Sequence, residues 1–598
     1  MKNVILFACL ICLVSCQNAN NAHQPTTKGV ENAASLPDIL ENYYNDRMKF
    51  YPFEATTNGV PNYNDAFPID ISDSYREVLK QFYSSYQAQL KGIDAAKLTD
   101  KERTSYDILS WEVERALDGL NFPDNLIPVN QFWGKTLDLG QLGSGEGSQP
   151  FKTVEDYDNW LKRIAHFPAW ADTAISNMQR GIAQGWVLPK ALVVKILPQL
   201  KPMAETPTAT HLFFQPMAKL AKNENISDTQ KVRLTAAFTK MVNEVVKPTY
   251  KKLHDFMQKD YLPQARTSSG ISAVKNGVAY YQSLVKYWTT TDMTPDQIFE
   301  LGEKEVARIR GEMEVVKNQV GFKGDLKAFF KYVSEGNPKL HPFTKPEQVL
   351  AHFDSIQVKM KPFLTKQFDL VPKTPFEVRR TEAFREASAS AEYNQGNPEQ
   401  NRPGVFYVPI PNVKKYNIFQ DEALFLHEAI PGHHYQIMLQ AEDAGLPKFR
   451  RYLWYGAYGE GWALYTEGLG KDLGLYTDPY EYFGRLGNEM HRAIRLVVDV
   501  GLHAKGWTRE QAIKYDLDNE ADSEEGITAE IERYMAIPGQ ALSYKIGEQK
   551  ILQLKKQAQT ALGDKFNIQK FHNEVLNDGC VPLSILEKKI QKFIETSK

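Results

Sequence analysis

The chain has 598 residues, of which 42% are hydrophobic and 24% are charged, and its formal net charge is −2. These proportions are ordinary for a soluble globular protein. The length exceeds what one compact core holds, so we expect two or three domains or one large helical body. The near-neutral charge and the lack of a basic run argue against nucleic acid as a partner.

The N-terminus predicts export. Residues 1–15 contain the apolar run VILFACLICLV, which is too short to span a bilayer and has the layout of a secretory signal peptide. Residues 13–16 resemble a bacterial lipobox, in which Cys16 becomes the lipidated first residue; an ordinary signal peptide is the alternative. Residues 16–35 are polar and aperiodic, so we expect a lipidated N-terminus and a flexible tether. The protein would be attached to a bacterial membrane by its lipid alone, and Gln17 favours the outer membrane.

Cysteine usage limits the chemistry. The four cysteines are Cys9, Cys12, Cys16 and Cys580. The first two would leave with the signal peptide and Cys16 would carry lipid, so only Cys580 remains and no intramolecular disulfide can form. We expect Cys580 to be a structural thiol. A zinc site made of cysteines is excluded, and any metal site must use His, Asp or Glu.

Helical periodicity dominates the rest of the chain. Apolar or aromatic residues recur every three or four positions in residues 73–92, 98–120, 155–183, 209–223, 227–258, 293–318 and 345–366. Strand-like clusters at 375–386 and 404–410 predict one small sheet. Residues 402–407 are either an edge strand that pairs with substrate backbone or ordinary sheet packing. We predict a mostly α protein with an N-terminal helical region at 36–265 and a catalytic region at 290–598.

The segment LFLHEAIPGHHYQ is the densest source of metal ligands. His427 and Glu428 follow residues of helical character, so a helix would present a ligand and an adjacent base to one ion. In the common HExxH motif the second histidine lies one turn on, at i+4. Here that position is Pro431, and the next imidazoles belong to His433 and His434.

The Pro-Gly pair favours His433 over His434 as the second ligand. Pro431 removes a backbone donor and Gly432 relieves strain, so we expect a break in the helix. On that interpretation His433 is the second ligand. On an unbroken helix His434 would be favoured, because position i+7 lies within about 20° of position i.

Glu460, in the segment GEGWALYTE, is the predicted third ligand. It follows His433 by 27 residues, enough for one helix to end and another to return. Two histidines and a carboxylate leave the fourth zinc position open for water, which is the catalytic arrangement. Glu428 would be the general base, and Glu467 could orient a ligand histidine.

Several motifs resemble one family. HEAIPGHH, EGWALYTE, DVGLHAKGWTREQA, ERYMAIPGQALSYKIG and DGCVPL occur in order between about 402 and 583. They resemble the bacterial family called "domain of unknown function 885", whose members are mostly secreted or lipidated and are regarded as candidate zinc peptidases. GEGWALYTE also resembles the segment EGFAxYxE of thermolysin-related aminopeptidases, which implies that Glu460 binds zinc. The wider gluzincin group includes helical enzymes such as angiotensin-converting enzyme, and this implies gluzincin-like catalytic helices and a deep cleft.

Five further residues are candidates for contact with substrate. Tyr534, whose Arg-Tyr pair resembles that of angiotensin-converting enzyme, and His503 could stabilise a developing oxyanion. Arg533 and Lys545 could bind a peptide carboxylate, and Tyr544 is a weaker candidate. For each of the first four, structural packing is the alternative.

The sequence thus predicts an exported metallopeptidase that uses Zn²⁺ to hydrolyse short peptides. A zinc amidase that acts on cell-wall peptides would use the same residues. A non-catalytic surface lipoprotein that binds peptide or glycan is the third hypothesis.

Overall fold

The computed structural model describes residues 34–382, 386, 389–398 and 401–598. The predicted signal peptide, Cys16 and the tether up to residue 33 lie outside the described residues. The predicted mostly α fold is confirmed. The α-helices are α1 (Leu36–Phe50), α2 (Pro52–Thr57), α3 (Asp73–Lys91), α4 (Asp100–Gly119), α5 (Lys135–Gly143), α6 (Val154–Ile164), α7 (Phe167–Gln184), α8 (Lys190–Glu205), α9 (Pro216–Lys222), α10 (Asp228–Met241), α11 (Lys247–Phe256), α12 (Gly277–Thr289), α13 (Pro295–Gln319), α14 (Leu326–Lys331), α15 (Pro346–Gln367), α16 (Asp421–Glu428), α17 (His433–Glu442), α18 (Lys448–Arg451), α19 (Gly456–Glu467), α20 (Pro479–Ala504), α21 (Arg509–Leu517), α22 (Glu524–Ala536), α23 (Ser543–Leu562), α24 (Ile568–Leu576) and α25 (Leu583–Ser597).

The helix ends follow capping chemistry. The Thr99 hydroxyl accepts a hydrogen bond from the backbone N–H of Glu102, and the Glu102 carboxylate accepts one from the backbone N–H of Thr99, so a capping box starts α4. Helices α3, α4, α13 and α15 match the predicted segments to within two residues at each end. The predicted helix at 155–183 is two helices, α6 and α7, because Pro168 suits the first turn of a new helix better than the interior of an old one.

One mixed sheet has the strand order β1-β3-β2, with β1 at Phe376–Arg380, β2 at Glu392–Asn394 and β3 at Gly404–Val408. Strand β3 pairs in parallel with β1 and antiparallel with β2. The strands predicted within 375–386 and 404–410 are therefore present. The edge-strand interpretation of residues 402–407 is wrong, because both sides of β3 are already hydrogen-bonded.

Two apolar cores lie on either side of α20. One includes Tyr43, Phe353 and Trp462, and the other includes Trp160 and Tyr250. Helix α20 contributes Leu496 and Val500 to the first core and Ile494 and Val497 to the second. Each core draws residues from before 265 and from after 290, so the two predicted regions interdigitate. The site described below lies where α16, α17 and α19 meet, and α20 packs against α16.

Candidate metal centre

The helix that carries His427 and Glu428 breaks where the Pro-Gly pair predicts. Helix α16 ends at Glu428 and α17 begins at His433. A side chain on Gly432 would put its Cβ atom 1.9 Å from the carbonyl oxygen of His427, so only glycine permits this close approach. The chain therefore folds back over the end of α16 and returns His433 to the level of His427.

Helix α19 holds this fold-back in place. The Thr466 hydroxyl donates to the carbonyl of Leu426 at 2.9 Å. The indole N–H of Trp462 donates to the carbonyl of Pro431 at 2.8 Å. These two bonds join α19 to α16 and to the break itself, so α19 and the histidine segment are held together as one unit.

Three side chains from this unit converge. Glu460 Oε2 lies 3.6 Å from His427 Nε2 and 3.5 Å from His433 Nε2. The three ligand atoms all lie within 4.8 Å of one another. Donor atoms about 2.0–2.2 Å from a tetrahedral zinc are about 3.3–3.5 Å apart. The separations suit an ion better than direct hydrogen bonds, which are about 2.7–3.2 Å long, and a donor set of two nitrogens and one oxygen suits zinc.

Glu467 orients the first histidine. His427 Nδ1 lies 2.8 Å from Glu467 Oε1, and both residues are buried. The ring N–H therefore donates to the carboxylate from Nδ1, and Nε2, which faces Glu460, is the nitrogen that could bind a metal. A carboxylate behind a histidine in this way fixes the ring and raises its basicity.

His434 lies outside the group. Its Nδ1 is 2.9 Å from the Tyr393 hydroxyl of β2, and its ring packs against Phe376 of β1 at a centroid distance of 4.9 Å. Burial lowers the pKa of His434 to about 4 despite a hydrogen bond to the backbone of Thr374. The rival second ligand thus joins α17 to the sheet, and the structure groups His433 with His427 and Glu460.

The pKa values in the group depend on neighbouring charges, which oppose the effect of burial. Burial acts to lower the pKa of His427, but Glu460 and Glu467 raise it to about 9. Burial acts to raise the pKa of Glu460, but His427 and His433 hold it well below its usual range. Burial raises the pKa of Glu428, and the positive charges of the two histidines and Arg492 oppose that rise. The buried histidines and carboxylates therefore balance one another's charges through bound protons, and a metal cation could take the place of those protons.

The two predicted oxyanion donors are already bonded. The Tyr534 hydroxyl donates to Glu530 at 2.8 Å and accepts from Arg495 Nε at 2.9 Å. His503 Nδ1 accepts from the backbone N–H of Ile271 at 2.9 Å, and its Nε2 donates to the carbonyl of Tyr534 at 3.0 Å. His503 has no ring nitrogen left for a substrate, and its place in the molecule is structural.

The predicted carboxylate binders differ in their surroundings. Lys545 is fully buried and pairs with Glu489 and Glu548 at 2.5 Å each. Arg533 is partly exposed and donates to Gln540 at 2.9 Å. The Tyr544 ring lies under the Arg495 guanidinium, 4.6 Å from centroid to Cζ. Lys545 therefore occupies an internal ion cluster, whereas Tyr544 lies beside two arginines of α20.

Sequence reasoning missed three residues near the group. Trp454 is 45% exposed and its ring lies 5.7 Å from that of His433. The charge of Arg492 acts to lower the pKa of Glu428. Arg495 is buried against Tyr534 and Tyr544. The signal for the arginines is in α20, where EMHRAIRLVV places charged residues in an otherwise apolar helix.

A family model described as "Bacterial protein of unknown function (DUF885)" matches residues 52–590. The chain belongs to this family. The DUF885 chain is similar to the crystal structure of a candidate lipoprotein from Colwellia psychrerythraea, with 30% identity, a TM-score of 0.86, and coverage of 94% of this chain and 99% of that one. A candidate lipoprotein of unknown function from Shewanella oneidensis shares the fold, with 19% identity, a TM-score of 0.74, and coverage of 94% and 100%. Among curated proteins, none matches the chain.

Proposed function

We propose that this protein is a zinc-dependent peptidase that hydrolyses short peptides. The observation that carries the proposal is the convergence of His427 Nε2, His433 Nε2 and one oxygen of Glu460, with Glu428 adjacent to His427 in the chain. Zinc, when bound, would lower the pKa of a coordinated water from about 15.7 to about 7 and polarise a carbonyl. His427, His433 and Glu460 would hold it, and Glu467 would support His427 from behind.

Glu428 is the proposed general base. It is the last residue of α16 and is buried, so its carboxylate is shielded from bulk water. A Glu428 oxygen would take a proton from the attacking water and later give it to the nitrogen of the leaving amine. The buried position also limits which substrates can reach it. His427 and Glu428 are both buried, which favours short flexible peptides over folded proteins.

The test is the variant Glu428→Gln beside the wild type and beside Glu510→Gln, an exposed control. Proton transfer by a positioned side chain contributes about 10²–10⁴-fold, so we expect Glu428→Gln to lose that much kcat on a mixed pentapeptide library. Zinc content should be unchanged, since the ligands remain. Wild-type rates in a Glu428→Gln protein that retains zinc would remove Glu428 from the mechanism.

We also propose export and lipid attachment at Cys16, with the outer membrane as the destination. Support comes from the lipobox-like residues 13–16 and from the Colwellia relative, which is described as a candidate lipoprotein. Among residues 34–382, 386, 389–398 and 401–598, no helix is long and apolar enough to cross a bilayer. Labelled palmitate should enter the wild type and not Cys16→Ser. Label in both proteins would refute lipidation at Cys16, and membrane fractionation tests the destination.

A further inference from the structure

Helix α20 runs beside the helix that carries Glu428. A Cβ on Gly484 would meet the carbonyl oxygen of Phe419 at 1.8 Å, so the chain just before α16 touches α20 directly. Helix α23, which carries Tyr544, lies against α19 in the same way, because a Cβ on Gly461, the residue after Glu460, would meet the Cα of Gly547 at 2.4 Å.

Arg492 has few partners among the described residues. Its Nη1 donates to the carbonyl of Asn488 at 3.3 Å, and its buried Nε has no hydrogen-bond partner among them. Within the part of the chain that the structure describes, no carboxylate forms an ion pair with it. Its Cζ lies 5.8 Å from the centroid of the Tyr544 ring, which supports one face of the guanidinium. An arginine held in this way still has donors to offer.

Arg495 lies one turn further along the same face. Its Nε and Nη2 are bonded to Tyr534 and Glu530, but its Nη1 is buried and has no partner among the described residues. Its Cζ lies 4.6 Å from the same Tyr544 ring. Two guanidinium groups thus share one aromatic support, and each leaves a buried N–H without an acceptor. Buried donors without acceptors destabilise a protein unless a ligand satisfies them.

We propose that Arg492, supported by Tyr544 and Arg495, binds a carboxylate carried by the peptide substrate close to the scissile bond. An arginine fork matches a carboxylate with two parallel hydrogen bonds. Helices α20 and α23 pack against α16 and α19, which carry Glu428 and Glu460, so a carboxylate bound there lies near the reacting atoms. The proposal rests on the proposed peptidase function and adds the substrate class to it. The carboxylate belongs either to the free C-terminus of the peptide or to an acidic side chain.

Three pentapeptide libraries separate the two sources. The first lacks Asp and Glu and has free C-termini, the second is the same library with amidated C-termini, and the third is amidated with Glu at one varied position. The wild type should cleave the first or the third library about 10–100-fold faster than the second, which is the range expected for a hydrogen-bonded charge pair. Preference for the first assigns a C-terminal carboxylate, and preference for the third assigns an acidic side chain.

Arg492→Ala should remove this preference. The loss should appear mainly in KM and should reduce cleavage of the preferred library to the rate of the second library. Arg492→Lys should restore part of it, because the charge returns without the fork. Arg310→Ala replaces an exposed arginine of α13; this variant is the matched control and should behave as the wild type.

Zinc content and the melting curve should be unchanged in Arg492→Ala, which separates substrate binding from a structural role. Equal cleavage of all libraries by the wild type, or an Arg492→Ala variant that keeps the preference, would overturn the proposal.

Binding separates this proposal from the peptidase function itself. If the wild type cleaves no library, the zinc-loaded protein is incubated with the libraries and the retained peptides are identified by mass spectrometry. Retention of carboxylate-bearing peptides that is lost in Arg492→Ala would keep the anion site and remove the peptidase. Equal retention by wild type and variant would remove both.

Discussion

Helix α20 carries two groups of charged residues that differ in how they are satisfied. Near its middle, Glu489 lies 2.5 Å from Lys545, which also pairs with Glu548 at 2.5 Å, and Arg485 pairs with Glu489 at 2.7 Å, so two cations balance two carboxylates in this buried cluster. One turn later, Arg492 and Arg495 each keep a buried N–H without an acceptor among the described residues. Both groups contain charged side chains, and the comparison teaches that the pairing of those charges separates a structural cluster from a candidate binding surface.

The same contrast holds for histidines. His503 has both ring nitrogens bonded to backbone groups, whereas His427 and His433 direct Nε2 toward one carboxylate oxygen. A histidine with both nitrogens bonded to the fold stabilises the fold. Two histidines that point at a common acceptor with separations of 3.5 and 3.6 Å leave room for an ion.

The largest effect should come from breaking the paired cluster. Lys545→Met removes the ammonium group that lies 2.5 Å from both Glu489 and Glu548, and removing one partner of a buried pair costs about 3–5 kcal/mol. Urea denaturation should show a loss of that size. Lys556→Met, on the exposed face of the same helix, should change stability by less than about 0.5 kcal/mol. Equal stability of the two variants would mean that the cluster is not structural.

The next largest effect should be a loss of zinc affinity when the Glu467 carboxylate that supports His427 is replaced. Glu467→Gln keeps the size of the side chain but weakens the hydrogen bond to His427 Nδ1. Loss of such a supporting carboxylate lowers metal affinity by about 10–100-fold. Competition with a chromophoric chelator measures the zinc affinity directly, with Glu510→Gln as the exposed control. An unchanged affinity in Glu467→Gln would show that Glu467 does not support a metal ligand.

His503 should make a smaller, pH-dependent contribution to the free energy of unfolding. Burial lowers its pKa to about 3, below the unfolded value of about 6.5. The stability from neutral His503 is therefore complete above about pH 6.5 and is lost as the pH falls toward 3. Between pH 7.5 and 5.5 the wild type should lose about 1.4 kcal/mol more than His503→Asn. Parallel urea curves at the two pH values would contradict this structural role.

The smallest effect on stability should come from replacing Arg492. Arg492→Ala removes no ion pair that the described residues show, so its free energy of unfolding should stay within about 0.5 kcal/mol of the wild type or rise. Thermal denaturation beside Lys545→Met checks this. A loss as large as that of Lys545→Met would place Arg492 among the structural charges.

Much of this fold could be predicted from local sequence. Helices such as α3 and α13 follow from apolar periodicity and from caps that lie within four residues of the helix start. Strand β2 was missed, because it has three residues and is defined by its pairing with β3 rather than by its own pattern.

Part of the candidate site could likewise be predicted from local sequence, and part could not. His427, Glu428 and Glu460 were named from motif spacing, and Gly432 gave a local reason to prefer His433. The partners of His503 and His434 could not be predicted, since Ile271 and Tyr393 lie 232 and 41 residues away in the chain. Arg492 was missed because a missing partner is visible only once the surrounding structure is known.

The metal content of the purified protein tests the central claim most directly, with the wild type beside His433→Ala and His434→Ala. We predict about one zinc per chain in the wild type and in His434→Ala, and loss of zinc in His433→Ala, because only His433 faces Glu460 with His427. A wild type that binds no zinc after reconstitution, or zinc that is lost only in His434→Ala, would contradict the account.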